Sequence, residues 1–203
     1  MKLISINSML IAFLVLLFCS CAANYKSINP QGISYSMVQT VDSTVVLQYS
    51  YDVLKKSKNR KYAKKEAKFN VNLVAVKISN NSDSIITTNQ LIYTSGGKFI
   101  EPLSPEITRK TLKQKSAYYL FYLLLSPTQL YTQQGSIPIG LGLGPVLVMI
   151  NMGIASASNN QFELNLEKYT IENRIINPHQ SIYALIGIRN IKGSPIYARI
   201  KRK

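Results

Sequence analysis

Side chains able to do acid–base, nucleophilic or metal chemistry are few and widely spaced in this 203-residue sequence. The nine carboxylates are Asp42, Asp52, Glu66, Asp83, Glu101, Glu106, Glu163, Glu167 and Glu172. No two of them stand where a general acid and its base are expected, and Glu163 and Glu167 read as solvent-facing positions of a strand. His179, the single histidine, sits in the turn Asn177-Pro178-His179-Gln180. One histidine without thiol partners builds none of the usual zinc sites. A serine nucleophile needs a strained turn, and no G-x-S-x-G occurs. Gly140-Leu141-Gly142-Leu143-Gly144 lacks the spacing and the preceding strand of a dinucleotide loop, and Pro145 follows it. Its Gly140/Gly144 spacing, and that of Gly153/Ala157, suits close packing of helices instead. These residues predict no catalytic group, no metal and no cofactor.

Cys21 is the exception. Both cysteines, Cys19 and Cys21, lie at the end of an apolar run that begins at Met9. The ten residues Met9 to Phe18, after Lys2, have the length of a signal-peptide core and are far too short to span a bilayer. Small Ser20 precedes Cys21, whereas bulky Phe18 precedes Cys19. The segment resembles a bacterial lipoprotein signal, in which the cysteine is diacylated, the peptide is cut before it, and the new N-terminus is acylated. Phe18 stands where that motif usually has leucine. The other reading of the segment is an uncleaved anchor helix. The resemblance implies an envelope protein tethered by acyl chains at Cys21. With no Asp after the cysteine, the family rule places it at the outer membrane, facing the periplasm. Residues 1–20 are then the signal and residues 21–32 a tether.

Processing removes 20 of 203 residues and leaves 183, which is room for one elaborated domain. The formal charge of +15 falls to +14 with the loss of Lys2. A balance this basic favours anionic surfaces. For an exported protein these are lipid headgroups or glycans rather than nucleic acid. Eight of the cations fall together, at Lys55, Lys56, Lys58, Arg60, Lys61, Lys64, Lys65 and Lys68. They read as an exposed basic connection that could touch an anionic surface, or as an ordinary solvated face.

From Ser116 through Phe162 there is no charged residue at all, a run of 47 positions. A helix is expected from Pro105, capped by Ser104, through Leu125, stopped by Ser126-Pro127. A second, glycine-rich helix is expected from about Pro145 to Asn159. This apolar hairpin, residues 104–159, offers Tyr118, Tyr119, Phe121, Tyr122, Leu124, Val148 and Met152 as contacts. Three uses stay open: domain core, a surface for membrane or an envelope protein partner, and the wall of a site for a lipid or other apolar ligand.

The remaining segments read as β. Val45, Leu47, Tyr49, Tyr51 and Val53 alternate with polar residues. Phe69 to Ser79 is rich in β-branched residues. Asn80 to Ser84 is a turn. Ile85–Thr94, Phe162–Leu166, Tyr169–Ile176, Ser181–Arg189 and Pro195–Arg202 follow as strands. Val71 to Ser82 (VNLVAVKISNNS), with Ile176 to Ile188 (INPHQSIYALIGI) and Pro195 to Lys201, resembles the small immunoglobulin-like domains of bacterial extracytoplasmic lipoproteins. That resemblance covers about a third of the chain and implies no single activity. The expected fold is mainly β: an immunoglobulin-like antiparallel sandwich over residues 33–203, with the apolar helical hairpin inserted.

Overall fold

The computed structural model describes residues 21–201 except 36, 41–43, 133 and 192. The signal segment and Asp42 therefore lie outside the described residues. The chain divides into two compact units. One holds residues 21–24 and Gln114–Ser158, the other Tyr25–Lys113 and Asn159–Lys203.

The larger unit is built on antiparallel sheets. Strands β1 (Met37–Thr40), β2 (Val45–Ser50), β3 (Val71–Asn80) and β10 (Ser181–Arg189) form a sheet of order β1-β2-β3-β10. Central β3 pairs along its length with β10, from Ser79↔Ser181 to Val71↔Arg189. Its other edge pairs with β2, from Asn80↔Val45 to Ala75↔Ser50. A second sheet has the order β11-β5-β6, from β5 (Leu91–Ser95), β6 (Lys98–Ile100) and β11 (Ile196–Ile200). A short pair joins β4 (Ile86–Thr87) to β9 (Ile175–Ile176).

The alternation of β3 decides what covers each face. Val74, Val76 and Ile78 join Leu47 and Tyr49 of β2, Ala184 and Ile186 of β10, Tyr93 of β5 and Ile196 of β11 in one buried core. Val71, Leu73 and Ala75 face the other way, into a core with Tyr62, Leu112, Phe162 and Leu166. Both faces are thus covered, which is why Leu73 to Val76 is an unbroken apolar run. The turn after β3 is tied down by Asn80, whose buried carboxamide donates to Ser84 O and Ile176 O and accepts from the Ser82 N–H. His179 Nε2 meets Asp83 Oδ1 at 3.0 Å beside it.

Helices cover the second face of the large sheet, and they depart from the sequence expectation. Among the described residues helical positions outnumber strand positions, so the chain is not mainly β. The basic segment, expected as an exposed connection or helical turn, forms two helices, α1 (Val53–Lys56) and α2 (Arg60–Phe69), with most of its cations exposed. Tyr62 and Glu66, four apart on α2, are buried and hold its inner face to the sheet. The helix expected from Pro105 to Leu125 stops early. α3 (Pro105–Leu112) begins at Ser104, which accepts from the Ile107 N–H, and Lys113 turns extended with ψ 151°. Phe162–Leu166 is not a strand but the end of α4 (Gly140–Lys168). Phe162, Asn165 and Leu166 are buried at helical spacing, while Glu163, Leu164 and Glu167 are not. An alternating stretch of five residues satisfies both periods, and packing selects the helix.

Residues 21–32 are not a free tether. Tyr25 and Ile28 are buried at 5% and 2% exposure. Tyr25 packs on Tyr62 and Phe162 with ring centroids 5.1 Å away in each case. Asn165 binds the passing backbone at Ile28, accepting its N–H at 2.9 Å and donating to its carbonyl at 3.0 Å. Asn59 does the same at Lys26, with both bonds 2.8 Å.

Candidate functional site

The smaller unit holds one charged residue among its described positions, Lys115. A 3-10 helix, Ser116–Leu125, leads to a two-stranded ribbon, β7 (Leu130–Thr132) and β8 (Gly135–Ile137). The first 19 residues of α4, Gly140–Ser158, return from it. Ten consecutive residues of 3-10 helix is long for that geometry. The first leg is thus 3-10 helix from Ser116 in place of the continuous helix expected from Pro105, and Gln114–Ser158 cluster with residues 21–24 in one unit.

Glycine lets the legs approach. A Cβ on Gly140 would lie 2.0 Å from Leu125 O, and one on Gly144 would lie 2.9 Å from Tyr122 O. Gly140 and Gly144 are thus packing residues, as their spacing suggested. Gly153 faces open space and Ala157 is exposed, so the second small-residue pair makes no such contact. Between the legs, Tyr119, Tyr122, Val148 and Ala155 form a seam, with Leu125, Leu147, Met152 and Ala22 against it. The rings of Tyr119 and Tyr122 lie nearly parallel, 6.4 Å apart.

The seven apolar residues singled out in the sequence separate into two groups. Tyr119, Tyr122 and Val148 are buried in the seam and Met152 is half-buried beside it. Tyr118, Phe121 and Leu124 are exposed at 59%, 68% and 72%. They are joined by Leu120 and Leu123 on the same leg and by Leu141, Leu143, Val146, Met149 and Ile150 on α4. An ordinary surface helix shows one apolar stripe and one polar face. Here the outer surface is apolar along both legs.

Cys21 belongs to this unit and is half-buried. The chain leaving it is gripped at once. The Ala22 N–H donates to Asn151 Oδ1 at 2.7 Å, and Asn151 Nδ2 donates to Leu147 O. The Ala23 N–H donates to Gln114 Oε1 at 3.1 Å, and Gln114 Nε2 returns a bond to Ala23 O at 2.6 Å. Burial, then Tyr122 and Cys21, push the Tyr119 phenol above its ordinary range. Asn151 and Gln114 are both buried. Sequence reasoning passed over them. Their one signal was a carboxamide standing inside, or at the border of, an apolar run.

In the larger unit the clustered basic residues lie on α1 and α2 and, for Lys58, on the turn between them. Lys55, Lys56, Lys58, Arg60, Lys64 and Lys68 are exposed, and Lys61 and Lys65 are half-buried. Lys65 and Lys68 reach over the exposed Phe69 ring, 5.7 and 5.8 Å from its centroid. Two carboxylates, Asp52 and Glu66, line one cleft. Glu163 pairs with Arg109 at 2.8 Å, and Asp83 with His179 on the surface. Glu66 stands in a strongly altered environment. Burial pushes it up to about 7, against the opposing bond from the Leu73 N–H. It lines a cleft of about 460 Å³ with Tyr51, Asp52, Asn70 and Asn72. Among the described residues no group of three His, Cys, Asp or Glu side chains could hold a metal ion.

No protein-family model, curated protein or solved structure matches the chain.

Proposed function

We propose that this chain is a non-enzymatic envelope lipoprotein, acylated at Cys21, whose apolar hairpin seats it on the bilayer. The observation that carries the reading is the outward apolar surface of both legs, in the same unit that holds Cys21. Exposed apolar patches of this extent mark contact surfaces. Moving one such side chain out of water contributes about 1.5–3 kcal/mol. Several acyl chains hold a protein on a membrane stably, at about 0.8 kcal/mol per buried methylene. Membrane is favoured over a protein partner because the same unit holds Cys21, whose acylation already brings the apolar surface to the bilayer. The larger unit reads as an immunoglobulin-like sandwich. Two antiparallel sheets sharing a core, and an Asn80 turn meeting the Ile176–His179 turn, support that reading. The basic faces of α1 and α2 add attraction for anionic lipids. The carrier reading is favoured less, since Tyr118, Phe121 and Leu124 are exposed instead of walling an enclosed space.

The test uses palmitate labelling and flotation with liposomes. Wild type should label and Cys21→Ala should not. Made without residues 1–20, so that no apolar signal segment is kept, the unacylated Cys21→Ala protein should still float with anionic liposomes, and Leu124→Asn with Met149→Asn should abolish that flotation. A Cys21→Ala protein that is monodisperse without detergent and stays with the soluble fraction would refute the hairpin as membrane contact. Label retained in Cys21→Ala would refute the anchor.

A further inference from the structure

We infer that the hairpin enters only the leaflet that receives the acyl chains of Cys21, tip first, and ends near the bilayer midplane. This rests on the proposed lipidation and membrane contact, and goes beyond them to depth and direction.

The grip on the N-terminus sets the scale. Because Ala22 is bonded to Asn151 and Ala23 to Gln114, Cys21 has no slack relative to the legs. Asn151 is eleven residues from Gly140, where α4 begins. At 1.5 Å per residue the helix reaches about 16 Å beyond the level of the anchor. The other leg gives an independent value. Ten residues of 3-10 helix between Lys115 and the tip extend about 20 Å at 2.0 Å per residue. A bilayer core is about 30 Å thick, so one leaflet offers about 15 Å. The helical legs alone take up one leaflet's depth of about 15 Å, so the joining residues 126–139 sit at and just past the midplane.

The border residues agree with that level. Lys115, the unit's single charge, lies at the start of the 3-10 helix with its ammonium 5.6 Å from the Tyr118 ring centroid. A lysine beside a tyrosine is the pairing found at headgroup depth, where the ring is half-solvated and the ammonium reaches for water. Gln114, which holds Ala23, is the next residue back. Lipidation site and headgroup border therefore coincide in one unit. Beyond them the legs carry apolar side chains outward, and their helical backbones satisfy their own hydrogen bonds as lipid requires. The tip contains hydroxyls and carboxamides but no charge, and the β7–β8 ribbon pairs part of its backbone. Neutral polar groups at the midplane cost less than a charge does, and the apolar legs offset them.

The chain has no tryptophan, so a single introduced one reports alone. Leu141→Trp, Met149→Trp and Ala157→Trp, each exposed in the hairpin, mark tip, middle and base. The acylated proteins are placed in vesicles whose lipids carry bromine either deep or shallow on the acyl chain. Entry into one leaflet predicts that deep bromine quenches position 141 most, that shallow bromine quenches 149 most, and that 157, about 9 Å on the water side of Asn151, is quenched least by both. A spanning hairpin would instead show its strongest deep quenching at 149, and that result overturns the inference. Proteins that float with vesicles but show no quenching at any position overturn it too, while leaving the anchor intact. Proteins that do not float at all overturn the membrane reading and this inference with it.

Discussion

The carboxamide of Asn165 holds Ile28 from both sides. The Ile28 N–H donates to Asn165 Oδ1 and Asn165 Nδ2 donates to the Ile28 carbonyl. The Tyr25 hydroxyl donates to the same Oδ1 at 2.7 Å. A side chain of α4 thus does for residues 25–28 what a neighbouring strand does in a sheet. Buried backbone groups need partners, and here side-chain amides supply them.

Removing that amide orphans several buried polar groups together. Each buried group left without a partner costs about 1–3 kcal/mol. Asn165→Ala is expected to lower the denaturant midpoint by an amount worth about 3 kcal/mol or more. Asn165→Leu, though it refills the volume, should do no better. Urea titration followed by tyrosine fluorescence checks both. A variant within a few tenths of a kcal/mol of wild type would mean that residues 25–28 are not held as described.

Glu66 gives the larger unit a pH dependence. Its folded pKa, about 7, lies above the ordinary 4.5 because burial disfavours the charged form. The folded state therefore binds the proton more readily than the unfolded state. Stability is highest below about pH 4.5 for this group, falls as pH rises towards 7, and carries the full penalty above it. Glu66→Gln keeps an acceptor for the Leu73 N–H while removing the charge. The variant should be more stable than wild type at pH 8, by on the order of 3 kcal/mol, and should lose that slope between pH 5 and 7. Thermal midpoints across this range decide it, and equal slopes would reject the assignment.

The hairpin glycines should respond differently to substitution. Gly144→Val places side-chain atoms where Tyr122 O and Ser126 Oγ already lie, the first 2.9 Å and the second 2.8 Å from a built Cβ. The legs must part, at a cost of about 1–3 kcal/mol or more. Gly142, two residues earlier, faces open space, and Gly142→Ala should stabilise the helix by about 0.5–1 kcal/mol. Limited proteolysis at the tip should quicken in the first variant and slow in the second. Equal behaviour would show that the legs do not pack through Gly144.

Much of the fold was legible in the residues themselves. The β-branched run of β3, the Asn80 turn, the Ser104 cap with Pro105, and strand β10 all appear where sequence chemistry puts them. Local preference and tertiary packing agree at these places, so either alone predicts the other. The candidate site was half legible. An unbroken uncharged run showed that something apolar is built there, but not which side chains turn inward. Tyr119 and Tyr122 are buried while Phe121 between them is exposed, and only the facing leg decides that.

The sequence by itself determined the composition of each part: two cysteines, Cys19 and Cys21, ending an apolar run, a charge-free hairpin, a basic segment and several strands. Tertiary structure decided what those parts do to one another. It made Phe162–Leu166 helix by giving Phe162 an aromatic pocket. It turned the basic segment into helices by burying Tyr62 and Glu66, and it bound residues 22–28 in place of a loose tether. The physical reason is the same in each case. Period and composition act over a few neighbours along the chain, whereas the bonds from Asn59, Gln114, Asn151 and Asn165 join residues 33 to 137 positions apart, and no local pattern encodes such a partner.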